Sequence, residues 1–235
     1  MKYATSIKRA RVFWILAIVT MGLVATMNLL GGIGTICASF FTEQYPSMTQ
    51  ALQGHEWLYQ RIVIMTLTMG ILGMWVTYGL FRSKKHAYRD AVVMLLIGTL
   101  ISDLQVTASL NLRGNAAPAD IKFYFNIFTM IYFLMLGFPP FDKWIDFSKP
   151  GGKNEITAAA GITTIMTGIA VLTVSLWVGT THSHMEDNWI APFQPYLLTG
   201  GTVLILLGLN IFVKSAATII SQSEQQIWVM AEAQD

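Results

Sequence analysis

Charge is what this chain has least of. Only 12% of its 235 residues are Asp, Glu, Lys or Arg, about half the share typical of a soluble globular domain. Since 54% of the residues are hydrophobic, that scarcity excludes an ordinary soluble domain and leaves a chain suited to lipid. The net charge of +2 offers no basic surface, so no nucleic-acid partner is expected. Cysteine is nearly absent. Cys37 alone cannot close an internal disulfide, and its place near the end of an apolar run reads as a packed thiol.

Histidine is missing from every apolar run. His55, His86, His182 and His184 all lie between runs, so a haem held by imidazoles from facing helices has no ligands here and none is expected. Retinal is not expected either, because Lys122 and Lys214 fall at the ends of runs. No Walker loop, HExxH pair or TVGYG filter occurs, and any other cofactor is unknown. No motif points to catalytic residues.

What the chain does have is length without charge. Apolar runs fall at about 12–38, 58–81, 91–111, 122–138, 156–178 and 196–213, each near the roughly 20 residues that cross a bilayer as a helix. Pro46, "FRSKKHAYRD", "GNAAP", "FPPFDKW" and "APFQP" punctuate them. The first run follows Lys2, Lys8, Arg9 and Arg11 but continues to about Phe41, too long for a cleaved signal segment. The expected fold is therefore an all-α integral membrane protein, a bundle of six transmembrane helices forming a single domain over 1–235. Residues 214–235 contain neither Gly nor Pro and extend the last helix or form a tail, with Ile219, Ile220, Ile227, Trp228 and Met230 available to a partner or the membrane surface.

Lysine and arginine alternate between the two sides. Four precede the first run, four lie in 82–90, three in 141–155 and one at Lys214, whereas Arg113 and Lys122 share a loop on the opposite side. The positive-inside bias then puts both termini in the cytoplasm, with the plasma (inner) membrane of a prokaryote as the expected location. Trp57, Tyr59, Trp75, Trp144, Trp177, Trp189 and Tyr196 gather towards run ends, where amphipathic rings are expected to anchor at headgroup depth. Gly70 with Gly73, and Gly200–Gly201 with Gly208, suit close helix packing.

One carboxylate interrupts this pattern. Asp103 lies within the third run, where Thr99, Asp103, Thr107 and Asn111 recur every four residues as one stripe, while Ser102, Gln105 and Ser109 form another. A central carboxylate costs roughly 2.5–3.5 kcal/mol on insertion scales, so Asp103 is expected to face protein or water. It lies roughly 12 Å below the outer end, by helix rise, and Arg61 enters from the same side about one turn away. Asn28 and Asn126 fall in the same outer half. The expectation is a polar cluster of Asp103, Arg61, Asn28, Thr99, Thr107, Asn111 and Asn126, closed by an ion pair or open as a path. Arg113 reads more simply as a cation bonded to the last carbonyls of its own helix.

"THSHMEDNW" at 181–189 offers a second set. His182, His184, Glu186 and Asp187, with His55 from another outer loop, have the donor types for copper or zinc, although a solvated polar loop has the same composition. Three functional expectations follow. The leading one is a non-catalytic subunit packed among other membrane proteins or with itself, in contact with the lipid bilayer. The alternative is a small transporter or proton-linked permease using Asp103, and the third is an outer-face metal-handling or redox protein.

Overall fold

A computed structural model describes residues 2–41, 50–139, 141, 145, 147, 152–184, 187–188 and 191–232. The described chain is helical almost throughout: α1 (Lys2–Phe40), α2 (Glu56–Phe81), α3 (Ala87–Arg113), α4 (Ala119–Leu136), α5 (Lys153–Leu172), α6 (Val174–His182) and α7 (Gln194–Glu232). Single 3-10 turns at Gln50–Leu52 and Ala191–Phe193 and a two-residue ribbon, Ser183–His184 against Asp187–Asn188, complete the elements.

Six of these helices are long and apolar enough to cross a membrane. The expected runs lie within them, with local differences at the ends. The fourth helix stops at Leu136, where the Gly137 N–H turns back to Leu134 O. The fifth run is broken at Thr173, after which the short α6 resumes. The last helix continues without a break to Glu232. Nothing in residues 194–232 forces an end, because neither Gly nor Pro follows Gly208 there.

The bundle is built outward from α1, which packs along α2, α4 and α5, while α3 bridges α2 and α4 and α7 lies against α5. Burial records the order. The most apolar stretch of α1 is 67% buried, whereas that of α7 is only 11% buried. Helices α2 and α3 join at the end that also holds Lys84; that end is termed lower, and the end where α2 begins and α3 finishes is termed upper.

Backbones approach closely where side chains vanish. A Cβ at Gly70 would meet Leu29 Cγ of α1 at 2.6 Å, and one at Gly73 would meet Ala25 Cβ at 2.9 Å. The α5–α7 contact is backbone against backbone: a Cβ at Gly168 would lie 2.7 Å from Gly201 O, and one at Gly208 would lie 2.7 Å from Ile165 N. With no hydrophobic drive between helices in lipid, such close approach is what dispersion and Cα–H contacts require.

At the lower end, Arg11 pairs with Glu155 at 2.8 Å and so ties α1 to the start of α5. Nearby, Tyr88, Phe133 and Phe147 stack in a group, with ring centroids 5.3–6.3 Å apart. Tyr88 donates to Phe133 O, and Tyr132 donates to Phe13 O, both at 2.8 Å. These side-chain bonds reach backbone carbonyls in neighbouring helices, so the lower half is both aromatic and cross-braced.

Replacing Gly168 with Leu should force α5 from α7 and destabilise the protein by about 1–3 kcal/mol or more, as overpacking does. Gly200→Ala, whose Cβ would meet nothing within 4 Å, should leave stability unchanged. Thermal unfolding in detergent micelles compares the two.

Candidate functional site

Helix α3 carries two polar stripes, and the bundle buries the one built on small residues. Ser102, Gln105 and Ser109 are buried alongside Gly98 and Ala108. Asp103, Thr107 and Asn111 lie on the opposite, outward face among exposed Leu96, Leu100, Leu104 and Leu110. Small residues let neighbouring backbones close in, whereas leucines fill the boundary with lipid, and that difference sets the rotation of α3.

The expected cluster is accordingly divided. Asn28 is buried, but its Nδ2 donates to Val24 O of its own helix at 2.9 Å. Thr99, half-buried, donates to Leu95 O at 2.8 Å. Arg61 is exposed and lies over the Trp57 ring, 5.6 Å from its centroid. The expected Arg61–Asp103 ion pair does not form. Among the described residues the ion pairs are Arg11–Glu155 and Arg89–Asp90. The physical reason is rotation, since turning Ser102 and Gln105 inward turns Asp103 outward.

Of the expected residues, Asn126 joins an internal network. Its Nδ2 donates to Ser102 Oγ at 3.3 Å and to Lys122 O at 3.2 Å, while its buried Oδ1 has no partner. One turn above, Lys122 is buried: its Nζ donates to Gln105 Oε1 and to Thr66 Oγ1, the latter at 3.4 Å. Gln105 Nε2 donates in turn to Thr35 Oγ1 at 3.4 Å. Four helices, α1 to α4, thus converge on one lysine. Below it the buried Thr129 Oγ1 has no partner, so the polar column extends one further turn towards the aromatic group.

Lys122 and Gln105 were not among the residues expected to form the site. Lys122 stands close to "GNAAPAD" and reads as a loop-side cation, yet Pro118 begins α4 early enough to carry it inside. The spacing Lys122, Asn126, Thr129 would have revealed it, because those positions share one helix face.

Towards the upper end the column opens into a cavity of about 50 Å³ whose polar walls are Thr35, Tyr59, Gln105, Ser109 and Arg113. Tyr59 OH and Ser109 Oγ are 3.0 Å apart and buried. Arg113 reaches past its own helix. Its Nη2 donates to Ala117 O at 3.2 Å, and the C-terminus of α3 is capped instead by Gly114, whose N–H bonds Leu110 O from a left-handed conformation (φ 67°). This frees most of the guanidinium to line the cavity.

Compared with protein-family models, curated proteins and solved structures, the chain matches none. Any reading of its function therefore stands on this geometry. Of the donors weighed for copper or zinc, His55 is exposed at the start of α2 with Nδ1 3.4 Å from Gln53 O. The His182, His184 and Asp187 side chains and the whole of Glu186 lie outside the described residues. Among those described, no cluster of three metal-ligating side chains occurs.

Gln105→Leu removes the acceptor nearest the Lys122 amine and should cost about 1–3 kcal/mol, the penalty for stranding a buried donor. Adding Lys122→Met should recover most of that loss. A double-mutant cycle read by thermal unfolding in detergent tests the pairing.

Proposed function

We propose that the protein is a non-catalytic subunit of a larger membrane complex, docked through the outward face of α3. The observation that carries this reading is Asp103. By helix rise it lies about 15 Å below Arg113 and about 24 Å above Ala87, on a face where it is surrounded by exposed leucines. Left in lipid, that carboxylate costs roughly 2.5–3.5 kcal/mol; against a neighbouring helix carrying a lysine or arginine the cost becomes an attraction. Thr107 and Asn111 continue the polar line upwards.

The partner we infer is a spanning helix of a different protein. Of the basic residues in α2, α3 and α4, Lys122 is buried, Arg61 lies over Trp57 nearer the upper end, and Arg89 and Arg113 stand at the two ends of α3, while the exposed Lys214 lies about 30 Å along α7, near the lower end. Among the described residues, a second copy packed in parallel would therefore bring no free cation to the depth of Asp103. The proposed orientation follows the basic residues, which places the lower end and both termini in the cytoplasm and the upper end outside, in the plasma membrane of a prokaryote.

The permease reading assigned its proton chemistry to Asp103, and on an outward face Asp103 has no access to the polar column. It is therefore not carried further.

Purification in mild detergent followed by mass spectrometry should recover a heterologous membrane protein with the wild type. Asp103→Leu should lose it while the lone chain melts no earlier, and Asp103→Glu should retain it. A photo-crosslinker at Leu104 should capture a spanning peptide containing lysine or arginine. A wild-type protein that purifies as a lone monomer would falsify the reading, and a crosslink to the same chain would replace it with self-association.

A further inference from the structure

The upper cavity presents several donors. Arg113 brings a guanidinium, Gln105 its amide hydrogens, and the hydrogen-bonded Tyr59–Ser109 pair one remaining hydroxyl hydrogen, while Thr35 donates to Gly31 O of its own helix. Among the described residues, no Asp or Glu lines it. Immediately behind Gln105 stands Lys122, whose stem runs past Gly31: a Cβ built on that wall glycine would come within 3.5 Å of Lys122 Cδ. An ammonium has three donors, and among the described residues Lys122 finds two acceptors, Gln105 and Thr66, neither of them charged.

A buried amine in a spanning bundle carries its charge only at a cost, and an anion beside it removes that cost. Arginine and lysine thus approach one small space from two sides, with no carboxylate between them among the described residues. We infer that this cavity is a binding site for a compact oxyanion, such as a small monocarboxylate or the acidic end of a lipid headgroup. Gln105 would transmit the Lys122 charge by donating Nε2 to the anion while its Oε1 accepts from the amine. Leu30, Leu52 and Val178 close the remaining wall, and a volume of about 50 Å³ limits the ligand to a few heavy atoms.

The inference makes no use of Asp103 or of the outward face of α3, so the site and the subunit reading stand or fall separately. The discriminating variant is Gln105→Glu. It is nearly isosteric, and it supplies the missing counter-charge inside the protein, so Lys122 gains an ion pair and an incoming anion meets a carboxylate.

The test uses the full chain in nanodiscs of phosphatidylcholine, melted in sodium formate and in sodium gluconate at equal ionic strength. A ligand that binds only the folded state raises the unfolding temperature with its concentration. Formate should raise it saturably and gluconate, too large for the cavity, should not. In Gln105→Glu the starting temperature should be at least that of the wild type and the formate response lost, with affinity down at least tenfold. In parallel, native mass spectrometry of protein from phosphatidylglycerol nanodiscs reports whether acidic lipid is retained. Retention of that lipid in the wild type and its loss in Gln105→Glu would support the site with lipid as the source of the anion. A wild type indifferent to formate and retaining no acidic lipid would overturn the inference. So would a Gln105→Glu protein that responds as the wild type does.

Discussion

In a spanning helix, each polar side chain must find its hydrogen-bond partner within the protein, and the rest of this structure follows from which residues can do so alone. Threonine can. Thr20, Thr68, Thr77, Thr163 and Thr164 donate to the carbonyl four residues back, and they therefore place no demand on how their helices turn. Lysine, glutamine and aspartate cannot be satisfied so locally. Lys122 needs acceptors from α2 and α3, and those acceptors in turn hold α2, α3 and α4 in one rotational setting.

Glycine supplies the complementary freedom. Where Gly161 and Gly168 face Gly208 and Gly201 the helices approach to backbone contact, and where Gly70 and Gly73 face α1 the Leu29 and Ala25 side chains seat directly on the α2 backbone. These contacts carry no directional information of the kind a buried amine carries. They set how near two helices come, and the polar network sets which faces meet. Helix α7 has the first without much of the second. Its Ser215 hydroxyl donates to Asn154 O of α5, and most of its apolar stretch within Ala191–Thr218 is unburied.

The membrane class and the number of spans were legible from the sequence, because length and the scarcity of charge are one-dimensional properties. Rotation was not. On α3 the sequence carries two polar stripes offset by one or two residues, and an aspartate draws more notice than a serine. The stripe that was buried is marked by what accompanies it, Gly98 and Ala108, and the exposed stripe by Leu96, Leu100 and Leu104. Size, more than polarity, distinguishes inward from outward in lipid. Lys122 escaped for a different reason. The expected fourth run began at 122, but α4 starts at Ala119 and the chain descends with Lys122 already turned towards α1–α3. The loop that contains His184 and Glu186 offered a composition without a geometry, and composition alone does not separate a ligand set from a solvated turn.

Asp103 and Gln105 sit two residues apart on one helix and so point about 200° apart at 3.6 residues per turn. That separation makes α3 a wall with a different charge problem on each side: a cation lacking an anion within, and an anion lacking a cation without. Rotation cannot resolve both. Turning α3 to bring Asp103 towards Lys122 would expose Ser102, Gln105 and Ser109 and drive Leu100 and Leu104 into the contacts now made by Gly98 and Ala108. The packing cost of burying two leucines where small residues lie exceeds what one desolvated ion pair returns. Helix α3 is held in the setting that leaves Lys122 and Asp103 each without an opposite charge among the described residues.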